Sequence, residues 1–391
     1  MTKSAPAGRI LFSVNAAWNV INFRSGLIER LLADGYEITV ATPRDAWSQR
    51  IEDMGCRYVE LPMQAQGRSP AADLGILARY VRLMRAERFD AFLGFTAKPN
   101  IYGSLAAALC GVPAINNIAG LGLVFNERGA TSRIIRLLYR LALSRSAHVF
   151  FQNSEDLALF GRERLVELAK TELLPGSGVD LDRFRPGMPA LPAQPNNPPH
   201  PGRFVFLLVA RLLWEKGVAE LVAAGRTVRA RYPSAEIRLL GFVEENREAF
   251  VQLADLEEWQ REGAATYLGT ASDVRPHLER ADCVVLPTYY PEGTPRALLE
   301  AAAMGKPIIT CDMPGCRDVV VDRENGFLVP PRNAGTLAER MTEVMRFSPE
   351  ERAAMGRRSR EIAETRFDER IVTGRYAQVL RHLIGPNRGS S

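Results

Sequence analysis

Residues 204–217 read FVFLLVARLLWEKG, a seven-residue apolar run of strand length that ends on a basic residue and leads into a turn closed by lysine and glycine. A run this apolar suits a strand covered on both faces, as in a parallel sheet. Similar runs precede it at RILFSV (9–14), YEITVA (36–41), DAFLGF (90–95) and HVFFQ (148–152). Others follow at EIRLLG (236–241), DCVVLP (282–287) and KPIIT (306–310). Stretches of helical period separate them, such as SGLIERLLADG (25–35). Strand and helix in alternation predict α/β sheets with helices on both faces. Immediately before residue 204 lies RPGMPALPAQPNNPPHPGR (185–203), whose seven prolines exclude regular structure. The pattern therefore stops and restarts. The 391 residues are expected to form two doubly wound domains, 1–185 and 204–391, joined by a linker at 186–203, with a helix closing the second. Ligands of such sheets bind at the carboxyl ends of the strands, so two of them facing across a cleft would share a ligand.

Composition removes several classes of function. With 46% hydrophobic and 24% charged residues the chain is ordinary for a globular protein, and no apolar run approaches the 18 or so residues of a membrane span. The opening MTKSAPAGR leads into a strand and carries no signal-peptide core. Five cysteines, scattered and without a CxxC, suggest neither a disulfide framework nor a zinc site, so a reducing cytoplasm is expected. Residues 1–190 hold 23 Lys and Arg against 18 Asp and Glu, an excess equal to the whole chain's net charge of +5. Nucleic acid is not expected as a partner, because the aromatic interleaving of a single-strand binder is missing.

Two stretches carry chemistry. Arg211 and Lys216 stand five residues apart just beyond the 204–210 strand, one a planar fork and the other a mobile point charge, and both can reach one phosphate region. The second stretch, YYPEGTPRALLEAAAMGKPIIT (289–310), puts Glu292 and Glu300 on either side of Thr294-Pro295, which reads as an N-cap followed by the first helical residue. The N-terminus of that helix, with Gly293 allowing close backbone approach, suits an anion such as phosphate. Glu300 lies near the second turn, where its side chain leans back along the helix and can accept two hydroxyl hydrogen bonds, as from a ribose.

These paired motifs, with NGFLV (325–329), resemble the retaining glycosyltransferases of family 4 across most of the chain. FTAKPNIYG (95–103), NIAGLGLVF (117–125), FQNSED (151–156), LPGSGVD (174–180) and MPGCRD (313–318) resemble more narrowly the bacterial branch that builds lipid-linked oligosaccharides and surface polysaccharides. The resemblance implies two Rossmann-like domains in the B-type glycosyltransferase (GT-B) fold, the first on the acceptor side and the second holding the nucleotide sugar. It implies a retaining hexosyl or N-acetylhexosaminyl transfer from a nucleoside-diphosphate sugar, UDP-linked by expectation, to a carbohydrate acceptor carried on polyprenyl diphosphate or polysaccharide. No metal or cofactor is implied. In that pattern Arg211 and Lys216 hold the diphosphate, Glu300 the ribose, and Glu292 with Gly293, Thr294 and Pro295 the donor sugar. The sequence departs from the family at Ala97, where many members carry histidine, and in the loop NAAWNVINFR, which lacks the usual glycine pair. Asn15, Arg24, Lys98 and Asn100 are the acceptor-side candidates. A sugar-nucleotide 2-epimerase of the same fold, or a non-catalytic nucleotide-sugar-binding subunit, are the alternatives.

The remaining signals point elsewhere. Asp180-Leu-Asp182 imitates a metal-binding DxD, but its place after GSGV favours a turn. His148, His200, His277 and His382 have no metal-ligand spacing. TSRIIRLLYRLALSRS (131–146) spaces Arg133, Arg136 and Arg140 along one helical face, and LGILARYVRLMRAER (74–88) does the same with Arg79, Arg82 and Arg85 or Arg88. Such faces either lie on an anionic membrane, making the protein peripheral at the inner membrane face, or are solvated helix surfaces.

Overall fold

The computed structural model describes residues 6–63, 70–121, 125, 129–187 and 202–385. The chain divides into two compact units, Met1–Ser177 with Glu369–Ser391, and Gly178–Asp368. The first holds seven parallel strands: β1 (Gly8–Ser13), β2 (Tyr36–Thr42), β3 (Arg57–Glu60), β4 (Ala91–Phe95), β5 (Ala114–Ile118), β6 (His148–Phe151) and β7 (Thr171–Leu173), in the order β3-β2-β1-β4-β5-β6-β7. The second holds six: β8 (Phe204–Val209), β9 (Ala235–Leu240), β10 (Thr266–Tyr267), β11 (Cys283–Leu286), β12 (Ile308–Cys311) and β13 (Gly326–Val329), in the order β10-β9-β8-β11-β12-β13. Both are doubly wound, and the order reverses between β1 and β4 and again between β8 and β11. Those are the points where such sheets bind ligands.

The central strands read as apolar because both their faces are covered. Phe206, Leu207, Leu208, Val284, Val285, Ile308 and Ile309 are fully buried, and each such side chain contributes about 1.5–3 kcal/mol. Strand β5, AINNI, breaks that rule. Asn116 and Asn117 are fully buried inside the sheet and are satisfied by side chains. Asn116 donates to Asn100 Oδ1 at 3.0 Å and Ser104 Oγ at 2.7 Å and accepts from Ser146 Oγ at 2.7 Å. Asn117 donates to Tyr376 Oη at 2.9 Å and accepts from Gln152 at 3.1 Å.

The units differ from the expected boundaries in two places. Residues 178–184 belong with the second unit, because Val179, Leu181 and Phe184 join its core and Arg360 donates to the carbonyls of Leu181 and Phe184. The closing helix, Glu369–Ile384, belongs with the first, where Val372, Tyr376 and Leu380 complete the apolar cluster around Phe95 and Phe150. Most of the expected linker, 188–201, lies outside the described residues.

Candidate active site

At the switch point of the second sheet the loops after β8 and β11 are knitted together. The Tyr289 amide donates to the Glu215 carbonyl at 2.9 Å, and Thr288 Oγ1 to the same carbonyl at 3.3 Å. Lys216 ends a short 3-10 turn, Trp214–Lys216, and Gly217 follows with φ +76°, where a Cβ would overlap the Pro287 carbonyl. Only glycine lets the two loops come this close. The junction buries the Lys216 ammonium, leaving the residue 6% exposed, and pairs it with Glu292 Oε1, which also lies 3.3 Å from Thr288 Oγ1. Arg211 is exposed. Its guanidinium lies 6.0 Å from the centre of the Tyr290 ring, and Lys216 Nζ lies 5.3 Å from the same ring. Two cations thus share one aromatic floor, and one of them is paired with a carboxylate.

The helix that follows spans Arg296–Ala303, with Pro295 at the N-cap at φ −63° and ψ 122°. This corrects the expected cap by one residue: Thr294 stands before the cap and Pro295 is not the first helical residue. The pyrrolidine ring still fixes the entry angle. Thr294 is 8% exposed. Gly315, at φ +78° in the loop after β12, abuts the backbone of Gly293 and Thr294, where any side chain would overlap the Gly293 carbonyl. This is the structural content of MPGCRD. In NGFLV, the fully buried Asn325 accepts from the Val321 amide at 2.8 Å and donates to the Val319 carbonyl at 3.2 Å, bracing that loop and contributing to the scaffold. Glu300 is 12% exposed at its side chain and meets Arg296 Nε at 3.0 Å. Burial pushes its pKa upward, and Arg296 and Arg183 oppose the shift. Sequence reasoning overlooked Tyr290 and Arg296, although the i, i+4 spacing of Arg296 and Glu300 on a helix would have signalled the pair.

In the first unit the acceptor-side candidates differ in what holds them. Asn15, after β1, accepts from Asn19 Nδ2 at 2.6 Å. Arg24 is 7% exposed and lies over the Phe95 ring at 4.7 Å. Lys98, after β4, is held by Asp73 Oδ1 at 2.7 Å, and Tyr102 donates to the other oxygen of that carboxylate at 2.9 Å. Asn100 is 1% exposed and works in the β5 network: it donates to the Asn117 carbonyl at 2.8 Å and accepts from Asn116, a scaffold position. Just before Lys98, Thr96 has φ +67°, unusual for a β-branched residue, and its buried hydroxyl has no hydrogen-bond partner among the described residues. Asp180 Oδ1 accepts the amides of Asp182 at 3.0 Å and Arg183 at 2.9 Å, a turn role.

Residues 192–362 match the family described as glycosyl transferases group 1, and residues 22–177 match the glycosyl transferase 4-like domain. Over 389 residues the chain is 27% identical to the N,N'-diacetylbacillosaminyl-diphospho-undecaprenol alpha-1,3-N-acetylgalactosaminyltransferase of Campylobacter jejuni, covering 96% of this chain and 99% of that one. The chain is a glycosyltransferase. This glycosyltransferase is also 25% identical to the UDP-Gal:alpha-D-GlcNAc-diphosphoundecaprenol alpha-1,3-galactosyltransferase of Escherichia coli, over 71% of this chain and 72% of that one. Among solved structures it superposes on Anabaena HepE in complex with UDP and glucose with a TM-score of 0.77, at 18% identity, over 96% of this chain and 100% of that one, a likeness of GT-B fold. No helix among the described residues of the glycosyltransferase is long and apolar enough to cross a membrane.

Proposed function

We propose that this glycosyltransferase moves a hexosyl or N-acetylhexosaminyl group, with retention, from a UDP-linked donor to a hydroxyl of a carbohydrate carried on polyprenyl diphosphate. The observation that supports this best is the junction of Arg211, Lys216 and Glu292 at the β8/β11 switch point, beside the N-terminus of the Glu300 helix. Arg211 and Lys216 take the donor diphosphate, and Glu300 takes the ribose hydroxyls. Glu292, with Gly293, Thr294 and Pro295, takes the transferred sugar. As the acceptor oxygen bonds to the anomeric carbon, the bond from that carbon to phosphate oxygen breaks. The departing UDP keeps the electron pair and takes the acceptor proton, so no protein base is required and Ala97 is compatible with turnover. The cations stabilise the charge that grows on the leaving group. The acceptor is assigned to the carboxyl ends of β1 and β4 in the first unit, with Asn15, Arg24 and Lys98 as its partners. Both relatives named above are, by name, transferases to undecaprenyl-diphosphate-linked sugars.

A membrane-borne acceptor calls for attachment from the cytoplasmic side, and the helix Ala130–Leu143 supplies a surface for it. Ile134, Leu137 and Leu141 are 57%, 56% and 51% exposed, and Arg133, Arg140 and Arg145 are exposed beside them. Arg136 leaves the expected stripe, because it turns inward to Glu163 at 2.7 Å and the Phe125 carbonyl at 2.8 Å. An apolar line edged by arginines fits the boundary of an anionic bilayer.

The function is tested by incubating the purified protein with UDP- and GDP-sugars, with and without polyprenyl-diphosphate oligosaccharides. The expected result is UDP release that depends on acceptor, with a product one sugar longer. Release of UDP without acceptor, or transfer only from GDP-sugars, would overturn the assignment.

A further inference from the structure

Arg296 opens the helix that carries Glu300, one turn before it. Its Nε meets Glu300 Oε1 at 3.0 Å and its Nη1 donates to the Gly178 carbonyl at 2.8 Å, with the two side chains only 15% and 12% exposed. A planar guanidinium bonded on two edges cannot rotate away as a lysine ammonium can, so it fixes its partner's direction as well as its charge. We propose that Arg296 is a positioning residue for donor binding: it holds the Glu300 carboxylate in one orientation, and in its charged form, for the hydroxyls of the donor ribose. The inference rests on the assignment of Glu300 to the ribose.

The chemistry requires such a residue. An ionised carboxylate accepts two hydroxyl hydrogen bonds, whereas a protonated one gives up part of that capacity. Burial by itself pushes Glu300 toward the protonated form. Arg296 opposes this by charge and hydrogen bond, Arg183 adds to the opposition, and Asp273 works against both. Asp273 is itself engaged by Arg275 at 2.6 Å. Arg296 is the one of these groups that bonds the carboxylate directly from its own helix. Removing its charge should move the Glu300 pKa further up, so that UDP binding weakens as pH falls, beginning at a higher pH than in the wild type.

The test is UDP titration calorimetry between pH 5.5 and 8.5 on wild type, Arg296→Gln, Arg296→Lys and Glu300→Ala, with donor KM and kcat measured alongside. Arg296→Gln should bind UDP within about threefold of wild type at pH 8.5 and progressively weaker than wild type as the pH falls to 5.5, by up to about tenfold for each unit that the Glu300 pKa rises. The change should appear in donor KM, with kcat at saturating donor altered less than about threefold. Arg296→Lys should restore the wild-type pH profile. If Arg296→Gln fails to fold, Arg296→Met keeps the aliphatic stem packed and answers the same question. A loss of affinity equal at every pH, or none, in a folded variant would mean that Arg296 only ties the helix to the Gly178 turn, and the inference fails. Wild-type UDP binding by Glu300→Ala would instead remove the ribose assignment beneath it.

Discussion

Lys216 and Glu292 depend on each other for stability before either meets a substrate. The ammonium is nearly buried, and the carboxylate keeps 21% of its side-chain surface exposed. Removing the cation alone leaves a carboxylate short of its partner, at a cost of about 2 to 3 kcal/mol, below the range for a fully buried pair because water still reaches Glu292. Lys216→Met should therefore lower the melting temperature, and adding Glu292→Gln should return much of the loss, a coupling that a double-mutant cycle measures directly. Turnover should separate from stability. Lys216→Met and Arg211→Met should each lose about a hundredfold or more in kcat, as for loss of one preorganised charge, while UDP affinity falls less. Near-normal UDP release by both variants in the presence of acceptor would refute the leaving-group role. The strand, the turn and the spacing of both cations are local, so their convergence was legible in the sequence. The pairing of Lys216 with Glu292 was not, because it bridges 76 residues and depends on which strands lie side by side.

At the scale of elements, legibility followed hydrophobicity. The eight apolar runs all lie in or along strands, whereas β3, β5, β7, β10 and β13 were not legible as strands. Four of these are two to four residues long and lie at sheet edges, where short strands limit unwanted pairing. β5 escaped for a different reason: its centre is an asparagine pair whose satisfaction comes from Ser104, Ser146, Gln152 and Tyr376, and no periodicity announces a buried polar network. The helix Ala130–Leu143 was legible as basic, yet which of its apolar residues face outward, and that Arg136 turns inward, depend on packing that local sequence does not carry. The outward apolar line changes the expected membrane behaviour. Three arginines at about 1 kcal/mol each would strengthen attachment to anionic vesicles roughly a hundredfold at low salt. Joint change of Arg133, Arg140 and Arg145 to Gln should abolish the salt-sensitive part of co-sedimentation. Joint change of Ile134, Leu137 and Leu141 to Ser should abolish the part that survives high salt. If the wild type stays in the supernatant with anionic vesicles at low salt, the face is merely solvated.

At the scale of the whole molecule, the first unit is assembled from two separated pieces of chain. The strands up to residue 177 leave a gap over Phe95 and Phe150, and the helix Glu369–Ile384 fills it after the second unit has been completed. Local sequence carries no hint of that return, because an amphipathic helix declares an apolar face but not which of two cores will receive it. Tyr376 shows what depends on the arrangement. Its ring lies 4.5 Å from that of Phe150 and is fully covered, its hydroxyl accepts from Asn117, and burial pushes its pKa up to about 12. Tyr376→Phe should cost about 1 kcal/mol for the lost hydrogen bond, with the buried Asn117 amide adding to it. Tyr376→Ala should cost about 3 to 5 kcal/mol, the range for an aromatic ring removed from a core. The stronger consequence concerns autonomy. Residues 178–368 are contiguous and contain their own core, so that segment expressed alone should melt cooperatively. Residues 1–177 alone should not, since they lack Val372, Tyr376 and Leu380, and fusing residues 369–385 behind them through a flexible linker should restore a cooperative transition. Calorimetric scans of the three polypeptides decide the matter. A cooperative transition from 1–177 without the helix would show that the first core is complete before the chain returns to it.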